Sequence, residues 1–399
     1  MIKSASLQTE IIDDIDLAVN DLASQLIERL PLLRNSVGIV QCDPEFIEAG
    51  IMPLLHDALG IPLVGGSTVS LATNGGIGNY MFCVLVLTSD DIDFFAGHTT
   101  GLIGGYEASI AISMQEAISA SKQPLQLALI FPTLKENKNI SGDRYLEAAE
   151  KACGDVPVFG TLSVDDTLRN FERSISVCNG DAFTDEMTYV LLFGVHLNPR
   201  FFVATVPEAA SLMETRAIVT KSDGNIVREI NNMLAVKYFE SIELAENGNF
   251  REGVQFVPFL VTDRGKGGVI RTFVRALISF DENGHVAFRG KVPEGSILSV
   301  ASLNADDILD ATSEVMKQIA DIEDVQAVMV FSCIIRQLCI GADPLKELAQ
   351  IKDALRPDVA FIASCSGGEI SPVRCGCGCD GRDKPLNTFH NYSLIACLL

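Results

Sequence analysis

Apolar positions along this chain fall into short, β-branched runs separated by stretches with helical spacing. Residues 36–42, SVGIVQC, read as a buried strand. Asp43 and Pro44 follow as helix cap and first-turn proline. Glu45 to Leu59 then reads as a helix with Phe46, Ile47, Ile51, Leu54, Leu55 and Leu59 on one side, ended by Gly60. A second strand, IPLV, breaks on Gly65-Gly66-Ser67-Thr68. The same order recurs twice. Strand 126–131, helix Ser141 to Cys153 and strand 156–159 break on Gly160-Thr161-Leu162-Ser163. Strand 326–332, helix Pro344 to Leu355 and strand 358–363 break on Ser364-Cys365-Ser366-Gly367-Gly368-Glu369. After each break a further apolar strand appears, at 81–87, 187–195 and 391–399.

Each unit is therefore strand, helix, strand, polar turn, strand. Its first three elements form a right-handed βαβ crossover, and its last strand returns antiparallel. Uneven spacing argues for duplication of a small unit over a solenoid. Between the second and third units the pattern changes. Residues 215–222 read as a strand, Asp223-Gly224 as a turn and Ile226 to Leu244 as a helix. Strands at 255–261 and 269–280, a DENG turn at 281–284 and a helix at 305–320 complete an antiparallel meander with helices. The fold class expected is α/β, mixed α+β: repeated β-α-β-turn-β units in mixed sheets, with a central antiparallel meander. Periodicity is lost near 200–212, which sets two domains, 1–205 and 206–399.

Composition narrows the function classes. In 399 residues, 30 Lys and Arg face 52 Asp and Glu, a formal charge of −22. Such a chain is repelled by phosphate backbones and anionic membranes, so neither nucleic acid nor membrane is an expected partner. With 48% hydrophobic residues it has the composition of a globular chain. The N-terminal stretch carries Asp13, Asp14 and Asp16 where a signal peptide needs an apolar core. A cytoplasmic location follows, and the eleven cysteines are expected to be reduced. Five scattered histidines do not make a histidine-rich metal enzyme.

Chemistry concentrates in the third unit. Cys333 and Arg336 lie past one strand, Gly367, Gly368 and Glu369 past its partner, and His390 and Asn391 enter the last strand. Open α/β sheets bind ligands beyond the carboxyl ends of their parallel strands. An arginine offers a fork to a carboxylate and a glutamate takes an ammonium group, so the pair suits an amino acid. An internal Arg336–Glu369 ion pair fits the same residues. The expected ligand-binding set is Cys333, Arg336, Gly368, Glu369, His390 and Asn391. A second cluster is the tract RCGCGCDGRD, where Cys375, Cys377 and Cys379 alternate with glycine. Period-two spacing puts the three thiols on one side, and Cys365 offers a fourth sulfur for zinc or an iron–sulfur cluster. A surface loop with free thiols accounts for the same residues and is the plainer reading. No catalytic residue is assigned: Ser366 lacks the G-x-S-x-G elbow, and Cys333 has no evident base. No cofactor is required.

Several segments together resemble the FIST family. FSCIIRQLCIG (331–341), GGEISPV (367–373) and FHNYSL (389–394) are similar to segments of the FIST C-terminal domain. VREINN, YFESIEL and the run VIRTFVRALISFDENGHVAFRGKVPEGSILSV are similar to its earlier part. Residues 33–200 resemble the FIST N-terminal domain, with GGST (65–68), FGTLSVDD (159–166) and CNGD (178–181) as its turns. The first turn departs from the family pattern, with Val69-Ser70-Leu71 where a Gly-Glu is common. The resemblance implies a cytoplasmic sensory module of signal transduction that binds small ligands such as amino acids. In many relatives an output domain is attached; with the sequence ending at Leu399 the expectation is a separate signalling output protein as partner, or action alone. The competing reading is a thiol- or metal-dependent redox protein using the Cys375–Cys379 cluster.

Overall fold

The computed structural model describes residues 2–101, 106–134, 141–165, 173–206, 216–264, 270–373 and 386–399. Three six-stranded mixed sheets carry the chain, with an eight-stranded antiparallel sheet inserted into the third unit.

Each unit has one strand and one helix more than its sequence repeat shows. The first begins with strand Lys3–Thr9 and helix Ile15–Arg29, whose cap Asp14 accepts the Leu17 N–H. Strand Asn35–Cys42, the helical stretch Pro44–Leu59 and strand Leu63–Ser67 follow. Gly50, at φ 87°, divides that stretch into two helices. The second unit starts with Asp93–His98 and helix Tyr106–Ala120. The third starts with strand Arg200–Ala204 and resumes after the insertion with helix Ala305–Ala320, opened by an Asn304–Asp307 capping box. The 205/206 boundary thus lies just behind a strand that pairs with Leu394–Leu398 in the third sheet.

Strand order repeats in all three sheets. A leading strand pairs with the unit's last strand, that strand with the first βαβ strand, and this one in parallel with the second. The sheet is then extended by a hairpin from another unit. Ser176–Cys178 of the second unit pairs with Leu63–Ser67 of the first. Glu369–Val373 of the third pairs with Val158–Thr161 of the second. Leu71–Thr73 of the first pairs with Ala360–Ser366 of the third. The exchange closes a ring, so each unit is incomplete without a neighbour.

The stretches expected as turns prove to be strand ends. Gly65 and Gly66 stand opposite Val177 and Ser176, and the strand runs through Ser67. Glycine is required there: a Cβ on Gly65 would sit 1.8 Å from the Val40 carbonyl oxygen. Gly160 occupies the same position in the second unit, 1.9 Å from the Ile130 oxygen.

Strands buried on both faces read as continuous apolar runs. One face of all three sheets packs inward, with Ile39, Leu85, Leu129, Phe131, Val190, Met329, Phe331 and Ile395 in one cluster. The Phe131 and Phe331 rings meet edge-on at 6.3 Å. The alternate residues face outward under each unit's helices: Val84 and Val86, Ala128 and Ile130, Val328 and Val330.

The insertion confirms an antiparallel meander but corrects one element. The stretch read as a helix over Ile226 to Leu244 is strand Ile226–Ile230, a two-residue strand and the short helix Ala235–Ser241. Asn231 and Asn232 take left-handed φ of 52° and 59°, which ends any helix there. The insertion has its own core around Phe239, Phe259 and Phe288.

Candidate functional site

The three strand ends converge. Val164 N–H donates to Ser67 O at 3.0 Å, Gly367 N–H to Leu162 O at 2.9 Å, and Cys365 N–H to Ser70 O at 3.1 Å. Ser67 Oγ reaches Val164 O, and Thr68 Oγ1 reaches Cys365 O, both at 2.8 Å. These polar residues weld the units together at the carboxyl ends of the parallel strands.

Arg336 does not pair with Glu369. It is completely buried, and its Nη2 and Nε donate to Glu347 Oε1 at 2.7 and 3.1 Å. Nη1 donates to Tyr392 O and Nη2 also to Thr312 Oγ1 and Ile308 O. Glu347, from helix Lys346–Ala354, accepts from Thr312 and Ser332 hydroxyls as well. All three nitrogens of the fork are engaged within the fold, and Arg336 lines neither opening described below.

The other candidates do lie close together. Cys333 ends strand Ala327–Cys333, and its N–H donates to Ser393 O. Glu369 stands opposite His390 across the third-unit hairpin. Its Oε2 accepts the Ser393 N–H at 3.4 Å, and Oε1 meets no donor among the described residues. Burial holds both the Glu369 carboxyl and the Cys333 thiol well above their usual ranges. Burial, aided by the Arg275 charge, depresses His390 to about 4, so its ring is neutral. Asn391 accepts the Ala276 N–H through Oδ1, tying the insertion to the third unit. Gly368, at φ 155°, packs against Phe389, where a Cβ would meet the ring at 2.6 Å.

Two openings adjoin this cluster. A cavity of about 100 Å³ separates Cys333 and Gly367 from Gln255, Phe256, Leu277 and Arg289 of the insertion. Arg289, half-buried, is the cation here, and sequence pattern offered no sign of it. The second opening is a cleft of about 1030 Å³. Helix Gly142–Cys153 of the second unit, strand Arg200–Ala204 and hairpin strand Leu386–His390 of the third, and strand Ile270–Arg275 of the insertion form its walls. His390 is the expected site residue that lines it. At one wall Arg275, nearly fully buried, donates to Asp143 Oδ1, Lys291 O and Phe389 O, joining insertion, second unit and third unit.

Cys375, Cys377 and Cys379 lie outside the described residues. Cys365 is buried, its thiol raised by desolvation and donating to Gln337 Oε1 at 3.1 Å. A thiol held protonated in this way is a poor metal ligand or redox nucleophile. Among the described residues, no group of three or more His, Cys, Asp or Glu side chains is arranged to hold a metal ion. No described helix is long and apolar enough to cross a membrane.

The described residues form interlocked α/β units with an inserted antiparallel sheet, and a cleft is walled by both. The chain matches the FIST N domain over residues 36–233 and the FIST C domain over 235–372. It belongs to the FIST family, whose domains are sensory domains of signal transduction. No curated protein matches it. Among solved structures it is similar to cyanuric acid hydrolase from A. caulinodans, at 9% identity and a TM-score of 0.39, over 100% of this chain and 99% of that one.

Proposed function

We propose that this protein is a cytoplasmic small-ligand sensor that binds without turnover and passes its signal to a separate output protein. The observation that carries the reading is the 1030 Å³ cleft, which is the size of a small-molecule site. Its walls come from two units and the insertion, so a bound ligand touches all three. A ligand shifts a conformational equilibrium only through differential contacts, and this placement supplies them. The ligand class is a small polar metabolite, amino acids included: Glu147 and Glu150 line one wall, and Arg200 and Arg271 line others.

A thermal-shift screen of the purified chain against amino acids and small metabolites tests this. A ligand at a hundredfold excess over its dissociation constant adds about 2.7 kcal/mol of stability. A dose-dependent shift is expected, lost in Thr388→Trp, which fills the cleft from its hairpin wall. Absence of a shift with every compound, in a folded sample, refutes the reading.

A further inference from the structure

Three strands that wall the cleft are the ends of three different sheets. Leu386–His390 is the outer strand of the second sheet, Arg200–Ala204 of the third and Ile270–Arg275 of the inserted sheet. A strand that shows a face to a cavity lines it with every second residue, because side chains alternate across a sheet. Here the lining residues are consecutive: Arg200 to Val203, Ile270 to Phe273 and Leu386 to His390. These strands therefore turn their edges to the cleft. An edge presents a row of unpaired N–H and C=O groups to any chain laid alongside.

The three edges are not equally free. On Leu386–His390, the Phe389 carbonyl accepts from Arg275 Nη1 and the Leu386 carbonyl from Thr388 Oγ1. Ile270–Arg275 carries two arginines, and charge blunts an edge. Arg200–Ala204 carries its one charge at its first residue; Phe201, Phe202 and Val203 are half-buried, and among the described residues no side chain caps their carbonyls. The leading strands of the other two units show what a closed edge looks like. At Lys3–Thr9, Ser6 Oγ donates to Asn74 Oδ1 at 2.7 Å and Gln8 accepts from the Thr73 hydroxyl, tying that strand to the first unit's hairpin. At Asp93–His98, the His98 ring stacks on Phe183 of the second unit's hairpin at 4.5 Å. Among the described residues no such hydrogen bond or ring stack joins Arg200–Ala204 to the third unit's hairpin, and both line the cleft.

We infer that the cleft takes a short free peptide in extended conformation, added as a further strand on the edge of Arg200–Ala204. A strand residue occupies about 160 Å³ at the spacings of a sheet, so a cleft of about 1030 Å³ holds about six. That matches the five and six residues of the edges around it. Backbone hydrogen bonds carry the recognition and tolerate different side chains. This inference rests on the cleft being the sensor's ligand site and names the ligand: amino acids joined in a chain and held by their backbone.

The test is calorimetric titration of the full chain with hexapeptides of alternating serine and valine, in both orders. In an antiparallel pair every second residue bonds across a given edge. N-methylation of three alternate residues should therefore weaken binding about tenfold or more in one phase and leave it within about twofold in the other. Amide hydrogen exchange should slow at residues 200–204 when the hexapeptide is added, and stay unchanged at 3–9 and 93–98. A twelve-residue peptide with the same six at its centre should bind no more tightly. Equal loss in both methylation phases, no protection at 200–204, or binding of the longer peptide tighter by about tenfold overturns the inference. If metabolites give a thermal shift that Thr388→Trp abolishes while neither hexapeptide binds, only the peptide assignment falls. If nothing binds, the sensor reading falls with it.

Discussion

Replacing Glu347 with glutamine should destabilise the protein severely. The residue it abandons, Arg336, is a completely buried guanidinium whose one counter-charge is the Glu347 carboxylate at 2.7 Å. The glutamine oxygen retains a hydrogen bond to the fork but not the charge. Its amide nitrogen then takes the place of Oε2 and faces the Ser332 hydroxyl, which now donates to the carboxylate at 2.6 Å, while Thr312 still donates to the retained oxygen. Breaking one side of a buried pair costs about 3–5 kcal/mol, because the remaining charge is uncompensated. That is a large share of a total stability of about 5–15 kcal/mol. Removing both charges is a different perturbation. Arg336→Met with Glu347→Leu takes away the desolvation cost along with the attraction, and should cost less than the single change. The assay is urea unfolding of wild type, Glu347→Gln, Arg336→Met and the double variant, followed by far-ultraviolet circular dichroism. A loss under about 1 kcal/mol for Glu347→Gln would refute the reasoning, since that is the range of exposed pairs. A double variant worse than both singles would refute it too.

Other outcomes follow from the same physics. Glu369 is held protonated by burial while its unfolded counterpart ionises, so the fold binds a proton that the unfolded chain lacks and stability falls as pH rises above the ordinary carboxyl range. Glu369→Gln, neutral at every pH, should therefore be more stable than wild type at pH 8, with the gap closing near pH 4.5; equal unfolding midpoints at both pH values would contradict this. His390 has the opposite sign: with its folded value lowered from 6.5 to about 4, the unfolded chain binds the extra proton between those limits and stability falls as pH falls. The contribution at pH 4 is about 3 kcal/mol, at about 1.4 kcal/mol per unit, and His390→Asn should flatten the stability slope between pH 7 and 4. Gly160→Ala places a methyl group 1.9 Å from the Ile130 oxygen and should cost about 3 kcal/mol in denaturant unfolding, with Gly65→Ala alike for the same reason. Unchanged stability in both would mean that the parallel strands are free to separate.

The sequence repeat was legible because each βαβ core is self-contained in its signals. Ser141 and Gly154 bracket a helix, Asp43 caps another, and the flanking strands are unbroken apolar runs. The leading strands were missed because Lys3–Thr9 mixes polar and apolar positions, Arg200–Ala204 is only five residues long, and both pair with strands more than 70 residues away. The segment Ile226 to Leu244 misled because its apolar residues suit either period, and two asparagines in left-handed conformation settled it. The candidate site divides in the same way. Cys333, Glu369, His390 and Asn391 could be gathered from strand ends alone. Arg336 could not be placed, because its partner Glu347 is an ordinary-looking helix residue eleven positions on. Arg271 and Arg289 sit in the insertion, where no local pattern marks an arginine as facing a cavity.

By itself, then, the chain determined three βαβ units, an antiparallel insertion and the family, since these depend on local periodicity, caps and short motifs. Tertiary structure decided what those units become. Backbone groups at the edge of each parallel pair need partners, and another unit's hairpin supplies them, which turns three repeats into one closed ring. The cleft exists because the insertion leans on that ring through Arg275 and Asn391 and leaves space beside the contact. Neither the exchange nor the space is written in any one segment, because both arise from residues far apart that meet only when the chain is folded.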